Sequence, residues 1–215
     1  MPRAKAPIAT KVPKEPTLDL KEACVAAAHE VIAERGVEGL SLRDVARKLN
    51  VSHQAPYRHY PSRDHLLAEV MRRCFEQFAQ HLDSRATSAE PHEDLSAMGM
   101  QYLSYAALHP LEYRLMFGTP WPEPAQHPEL VKYAVHAFDV LRKALRRMHE
   151  GKPDALALAE LDALFIWSSM HGLASITQSN VMEHLKISKR VRKEAQSHVM
   201  HRMARGLDGD PVVTN

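Results

Sequence analysis

The chain has 215 residues, 45% of them hydrophobic, and a formal net charge of +2. That length holds a small domain joined to a larger one with a core of its own, and a charge so near neutral does not by itself identify a polyanion partner. Two cysteines, Cys24 and Cys74, exclude a disulfide-stapled scaffold, and no apolar run reaches the ~20 residues of a membrane-crossing helix.

Residues 1–17 set Arg3, Lys5, Lys11 and Lys14 among prolines with little apolar mass, which predicts a disordered basic arm. From residue 18 the spacing Leu20, Cys24, Ala27, Val31 predicts a first helix that stops at Arg35-Gly36. Ser41-Leu-Arg-Asp reads as a capping-box variant opening a short second helix with Leu42, Val45, Ala46 and Leu49 inward. Asn50 closes it, since asparagine tolerates a left-handed backbone. Ser52 is expected to cap a third helix over 53–60, with Pro56 making its start tight and irregular. Pro61-Ser62 then opens a long fourth helix carrying Leu66, Val70, Cys74, Phe75, Phe78 and Leu82. Further helices are predicted over 92–108, 110–117, 126–149, 154–178 and 188–205, about nine in all. No alternating strand pattern and no fixed-period repeat occurs, so the class is all-α.

The stretch 41–65 has the layout of a helix-turn-helix, whose second helix enters the major groove while the first braces it. His53 and Gln54 project from the start of the reading helix, and a glutamine amide can bond adenine N6 and N7 together. Both are candidates for reading bases. Ser41, Arg43, Ser52, Tyr57, His59 and Arg63 are candidates for holding sugar-phosphate oxygens through hydroxyls, imidazole and guanidinium. Tyr60 falls toward Leu49 and Leu66 and is expected in the core.

The segment Tyr57-Arg58-His59-Tyr60-Pro61-Ser62-Arg63-Asp64-His65-Leu66 resembles the TetR/AcrR family of bacterial transcription regulators, in which a capped second helix precedes a short recognition helix ending Tyr-x-x-aromatic and then Pro-Ser-Lys-x-x-Leu. The resemblance covers 18–66 closely. It departs at Asn50 (usually glycine), Tyr60 (usually phenylalanine) and Arg63 (usually lysine), and arginine's fork holds a phosphate differently from lysine's point charge. Residues His109 to Gly118, HPLEYRLMFG, and Trp167 to Gly172, WSSMHG, resemble the subgroup whose C-terminal domain is named for Trp-His-Gly.

The resemblance implies an N-terminal three-helix domain (18–65) followed by a larger helical ligand-binding and dimerisation domain (66–207) and a flexible tail (208–215). Trp167 and His171 share a helix face, and two readings stay open for them, ordinary core or ligand pocket. With Phe78, Tyr102, Met116 and Phe117 they are the candidate pocket residues, supplying aromatic and thioether surface with a few polar tips. Fourteen histidines include an i, i+3 pair, His198 and His201, but no third ligand has convincing spacing, so neither a metal nor another cofactor is expected.

Three functions are weighed. The first is a cytoplasmic, homodimeric repressor that reads a palindromic double-stranded operator, pairs through the last two long helices and is released by a small hydrophobic effector, with no membrane attachment. The second is an architectural or nonspecific DNA-binding protein. The third, an enzyme carrying a helix-turn-helix, ranks far below, because no phosphate loop, nucleophile elbow or HExxH occurs. The expectation is a regulator without catalytic activity.

Overall fold

A computed structural model describes residues 19–179 and 181–208. The expected arm over 1–17 and all but the first residue of the expected tail lie outside these. The described residues are helical, without strands, and divide into two compact units at Leu66/Leu67.

In the N-terminal unit, α1 (Leu20–Arg35) opens at Asp19, whose carboxylate accepts from Lys21 N–H at 3.2 Å. It ends at Gly36, where φ of 76° with an extended ψ suits only glycine. α2 (Leu42–Lys48) is capped as the sequence requires, Asp44 N–H donating to Ser41 Oγ at 3.1 Å. Its far end is a Schellman turn: Asn50 takes φ 53°, its N–H reaches Arg47 O at 3.2 Å, and Val51 N–H reaches Ala46 O at 3.0 Å. Tyr60 is buried and donates its hydroxyl to Lys21 O at 3.3 Å.

The expected third helix over 53–60 is corrected. Residues 53–55 form a turn and only Pro56–Arg58 makes a 3₁₀ turn. Proline has no N–H to close an α-turn back to Ser52, so the segment winds more tightly, with Ala55 N–H on Ser52 O (2.9 Å) and His59 N–H on Pro56 O (3.0 Å).

The long helix α3 (Arg63–Asp83) contains the boundary between the units. Ser62 caps it, accepting from His65 N–H at 3.4 Å. In the C-terminal unit, α4 (Pro91–Leu108), α5 (Pro110–Phe117) and α6 (Pro128–Met148) each begin with proline at the position where the missing N–H costs nothing. α7 (Ala155–Gln178), the four-residue α8 (Val181–His184) and α9 (Lys189–Leu207) follow. α4 packs on α5, α6, α7 and α9, and α7 packs on both α6 and α9.

Asp94, 2% exposed, ties this unit together. Its carboxylate accepts from Arg85 Nε (3.1 Å) and Nη2 (3.3 Å) and from Arg147 Nη1 (3.3 Å), while Arg147 Nη2 caps the carbonyls of Ser88 and Ala89. The buried carboxylate is tolerated because Arg85 matches its charge and both guanidiniums hydrogen-bond to it, the second positive charge lying on Arg147, which is 46% exposed. His149 Nε2 meets Asp162 Oδ2 at 2.7 Å and fastens the end of α6 to α7. Both cysteines are buried free thiols; burial raises the pKa of each, Cys74's to about 12.

The apolar stripe of α9 is buried only toward the helix end, at Met203 and Leu207, while residues 188–194 are exposed, Val191 included, so the first turns have no packed face among the described residues.

Candidate functional site

Among the described residues of the N-terminal unit, most arginines and lysines already have partners. Asp44 gathers the Ser41 hydroxyl, Arg47 and Arg35 Nη1, the last at 3.2 Å. Lys48 sits between Glu30 (2.9 Å) and Glu34 (2.7 Å), which holds its pKa up and Glu34's down. Arg63 donates to Leu40 O (3.2 Å) and Val37 O (2.7 Å) and pairs with Asp64, so its guanidinium staples the loop between α1 and α2. Arg43 and Arg58, both exposed, have no partner among the described residues.

Arg43, His53, Gln54 and Tyr57 line one shallow concave patch. Tyr57 stands 43% exposed, large for a ring with nothing covering it. Of the eight residues predicted to face nucleic acid, these four are therefore brought together. Ser52 and His59 are exposed on the same turn segment; Ser41 and Arg63 are half-buried and turned to internal partners. Ser52 closes its turn through its carbonyl, not its hydroxyl. Arg58 was not among the predicted contacts, although it stands beside Tyr57 in the motif. The patch offers a bidentate amide, an imidazole, a phenol and a free guanidinium on an open surface, the donor set that reads base edges and grips phosphates.

The second site is a cavity of about 620 Å³ within the C-terminal unit. α3 contributes Phe75, Phe78 and Leu82, α4 Met98 and Tyr102, α5 Met116 and Phe117, α6 Ala134, Phe138, Leu141 and Arg142, and α7 Trp167 and His171. All six candidate pocket residues lie on its wall. Trp121 joins them on the wall; its indole N–H donates to Met116 O at 3.0 Å and its ring packs edge-on against Phe75. Phe138 and Arg142 were missed, though the α6 stripe Val131, Ala134, Phe138, Leu141 is legible as a helical period.

Two polar groups of the wall, Tyr102 and His171, meet through Tyr113, which does not itself line the cavity. Tyr102 and Tyr113 hydroxyls are 2.8 Å apart, and Tyr113 OH is 2.7 Å from His171 Nδ1. With the imidazole proton on Nε2, facing Ser175 Oγ at 3.5 Å, Nδ1 accepts from Tyr113, whose oxygen accepts from Tyr102. Burial lowers the His171 pKa and raises those of both tyrosines, Tyr113's to about 12, so the chain of three is uncharged. Arg142, the one wall cation among the described residues, is paired with Asp139 and lies 3.7 Å from Glu160. The cavity is apolar, aromatic and electrically neutral, with one hydrogen-bonding corner. Among the described residues no group of three or more His, Cys, Asp or Glu could hold a metal ion, and no helix is long and apolar enough to cross a membrane.

Residues 25–70 match the family model described as bacterial regulatory proteins, tetR family, and residues 95–199 match the tetracyclin repressor-like C-terminal domain. The latter description does not carry the Trp-His-Gly subgroup expected from residues 167–172. The HTH-type transcriptional regulator Rv1816 of Mycobacterium tuberculosis is 31% identical over 94 residues, 42% of this chain. The match spans only 40% of that relative's length, and the same holds for its counterpart in Mycobacterium bovis. Among solved structures, a protein of unknown function from Rhodococcus sp. RHA1 superposes with a TM-score of 0.72 at 23% identity, over 91% of this chain and 100% of that one. The regulator FadR from Bacillus subtilis, solved with stearoyl-CoA, superposes with a TM-score of 0.63 at 15% identity, over 86% and 97% of the two chains.

Proposed function

The chain belongs to the tetR family of bacterial regulatory proteins, DNA-binding regulators of transcription, and on that premise we propose that it is a cytoplasmic, homodimeric repressor released from a palindromic operator by a small apolar effector. His53 and Gln54 read base edges; Arg43, Ser52, Tyr57, His59 and Arg58 hold the backbone, with Ser41 and Arg63 acting from behind by fixing the segment that carries them. Two copies related by a two-fold axis set two such segments about one helical turn apart, ~34 Å, or more.

The observation that carries ligand control is the 620 Å³ neutral, aromatic cavity, since a core packed only for stability leaves few voids of that size. The apolar stearoyl chain carried by the FadR neighbour supports an apolar occupant. Pairing through α7 and α9 is supported by Leu161, Leu164, Phe165, Ile176 and Val191, which stand 44–64% exposed on those helices. The effector shifts a population between DNA-competent and incompetent states, and a coupling of ~1–3 kcal/mol weakens operator binding about 5- to 150-fold. Nothing in this reading asks for catalysis.

The test is a mobility-shift assay on DNA upstream of the protein's own gene against a scrambled duplex at one moderate salt concentration, with sedimentation of the free protein. A dimer that shifts the upstream DNA alone is expected. Equal affinity for both duplexes would favour the nonspecific reading, and the absence of any shift would sink the regulator's specific role.

A further inference from the structure

A second cavity, about 410 Å³, lies between α4, α7 and α9, and it shares four wall residues with the first: Leu95, Gly99, Ile166 and Met170. The two hollows are thus neighbours across the α4–α7 contact. At Gly99, which lines both hollows, the partition carries no side chain of α4. A Cβ there would stand 2.7 Å from Met200 Cε, 3.0 Å from Met200 Sδ and 3.4 Å from Met170 Cε. Two methionines, one from α7 and one from α9, therefore plug a window cut by a glycine. Methionine is unbranched and re-rotates at low cost, so this plug is the wall's most yielding part.

We propose that the two hollows are lobes of one binding site, joined when Met200 and Met170 swing aside, and that the occupant is an unbranched hydrocarbon chain with an uncharged polar end. The chain threads the glycine window, and a branched or fused-ring molecule of equal volume does not. The end group is uncharged because the charge of Arg142 is already opposed by Asp139 and Glu160, although its buried Nε has no partner among the described residues, and the other polar side chains of the two walls, Tyr102 and His171 in the first lobe and His92, Ser96, Ser197 and His201 in the second, are hydrogen-bonding groups, His92 lying 3.2 Å from Asp208. The inference rests on the reading of the first cavity as an effector site and adds its shape, reach and charge.

Photolabelling tests it on the full chain. A 1-tetradecanol bearing a terminal diazirine and a compact naphthol bearing the same group are each irradiated with the protein, and labelled peptides are identified by mass spectrometry. Binding is followed by the fluorescence of Trp121 and Trp167, which face the first lobe. The alkanol is expected to label α9 or Ser96 in the second lobe and the naphthol only the first. Gly99→Val should abolish α9 labelling by the alkanol; Met200→Ala, which removes the plug rather than filling the window, should raise α9 labelling and, since Met200 lines only the second lobe, leave naphthol affinity within about twofold. Each two methylenes removed from the alkanol should weaken binding about 15-fold, and the matching tetradecanoate should bind at least tenfold more weakly than the alkanol.

Labelling by the alkanol confined to α5 and α6, in both the parent and Met200→Ala, overturns the joined-lobe proposal and leaves the first cavity's reading standing. Tighter binding of the carboxylate overturns the uncharged end. If neither probe changes the tryptophan fluorescence, the effector reading itself falls, and this one with it.

Discussion

Arg43 and Arg58 in the N-terminal unit, and Arg85 and Arg147 in the C-terminal unit, are the same side chain put to opposite uses. The first two stand in water without partners among the described residues, while the second two converge on Asp94, a carboxylate 2% exposed. An exposed, uncommitted guanidinium contributes little to folding and keeps its donors for an outside anion. Arg85, its side chain 9% exposed, is committed inside the fold, and loss of its carboxylate would strand a charge in low dielectric, while Arg147, 46% exposed, reaches the same carboxylate from solvent. The same division runs through the neutral polar groups: Gln54 and Tyr57 face outward, whereas Tyr102, Tyr113 and His171 satisfy one another at the edge of a cavity.

The contrast can be broken by substitution. Asp94→Ala should cost about 3 kcal/mol or more of unfolding free energy in urea, because Arg85 is left nearly buried without its carboxylate; an unchanged midpoint would mean that Asp94 is not structural. Gln54→Ala should leave stability alone and cost ~1–3 kcal/mol on the operator but not on scrambled DNA. Equal weakening on both would move Gln54 from base reading to backbone contact. Ser41→Ala should cost about 1 kcal/mol of stability by removing the α2 cap, and its operator affinity measured well below the melting temperature should stay near that of the parent. Arg43→Ala should weaken all duplexes alike and lower the slope of log K against log salt by about 1.

The smallest effect is the dependence on pH. Burial lowers the His171 pKa below its unfolded value of about 6.5, so the unfolded chain binds the proton more readily. The stabilisation is complete above pH ~6.5, declines as pH falls below it and levels off beneath the folded pKa. The difference in melting temperature between the parent and His171→Gln should therefore shrink from pH 7.5 to 5.5. A constant difference across that range would remove burial of the neutral imidazole from the account.

What could be read from sequence follows the range of the forces involved. Ser41, Asp44, Asn50, Pro61 and Ser62 act on backbone within a turn, and their spacing alone marked the ends of the helices they flank. The reading segment was mistaken for a full helix because one proline outweighed the helical context of its neighbours. Arg63 reads from sequence as a phosphate contact, and its donations to the carbonyls of Val37 and Leu40, distant in sequence, have no signature there. The cavity is the extreme case. Its candidate aromatics were visible singly, but a void exists only where helices from α3 to α7 fail to fill a common space, and the inward stripe of α6 had to be paired with α7 before Phe138 and Arg142 acquired a meaning.

The burial of both thiols has a practical consequence. Cys24 is 0% and Cys74 3% exposed, each held protonated by its surroundings, and the chain has no other cysteine. A maleimide will pass over the native protein, so Ser52→Cys creates the sole reactive thiol, on the turn that carries Gln54. Paired spin labels attached there would give a ruler between two copies of the chain, readable with and without an occupant in the cavity, on an otherwise unaltered background.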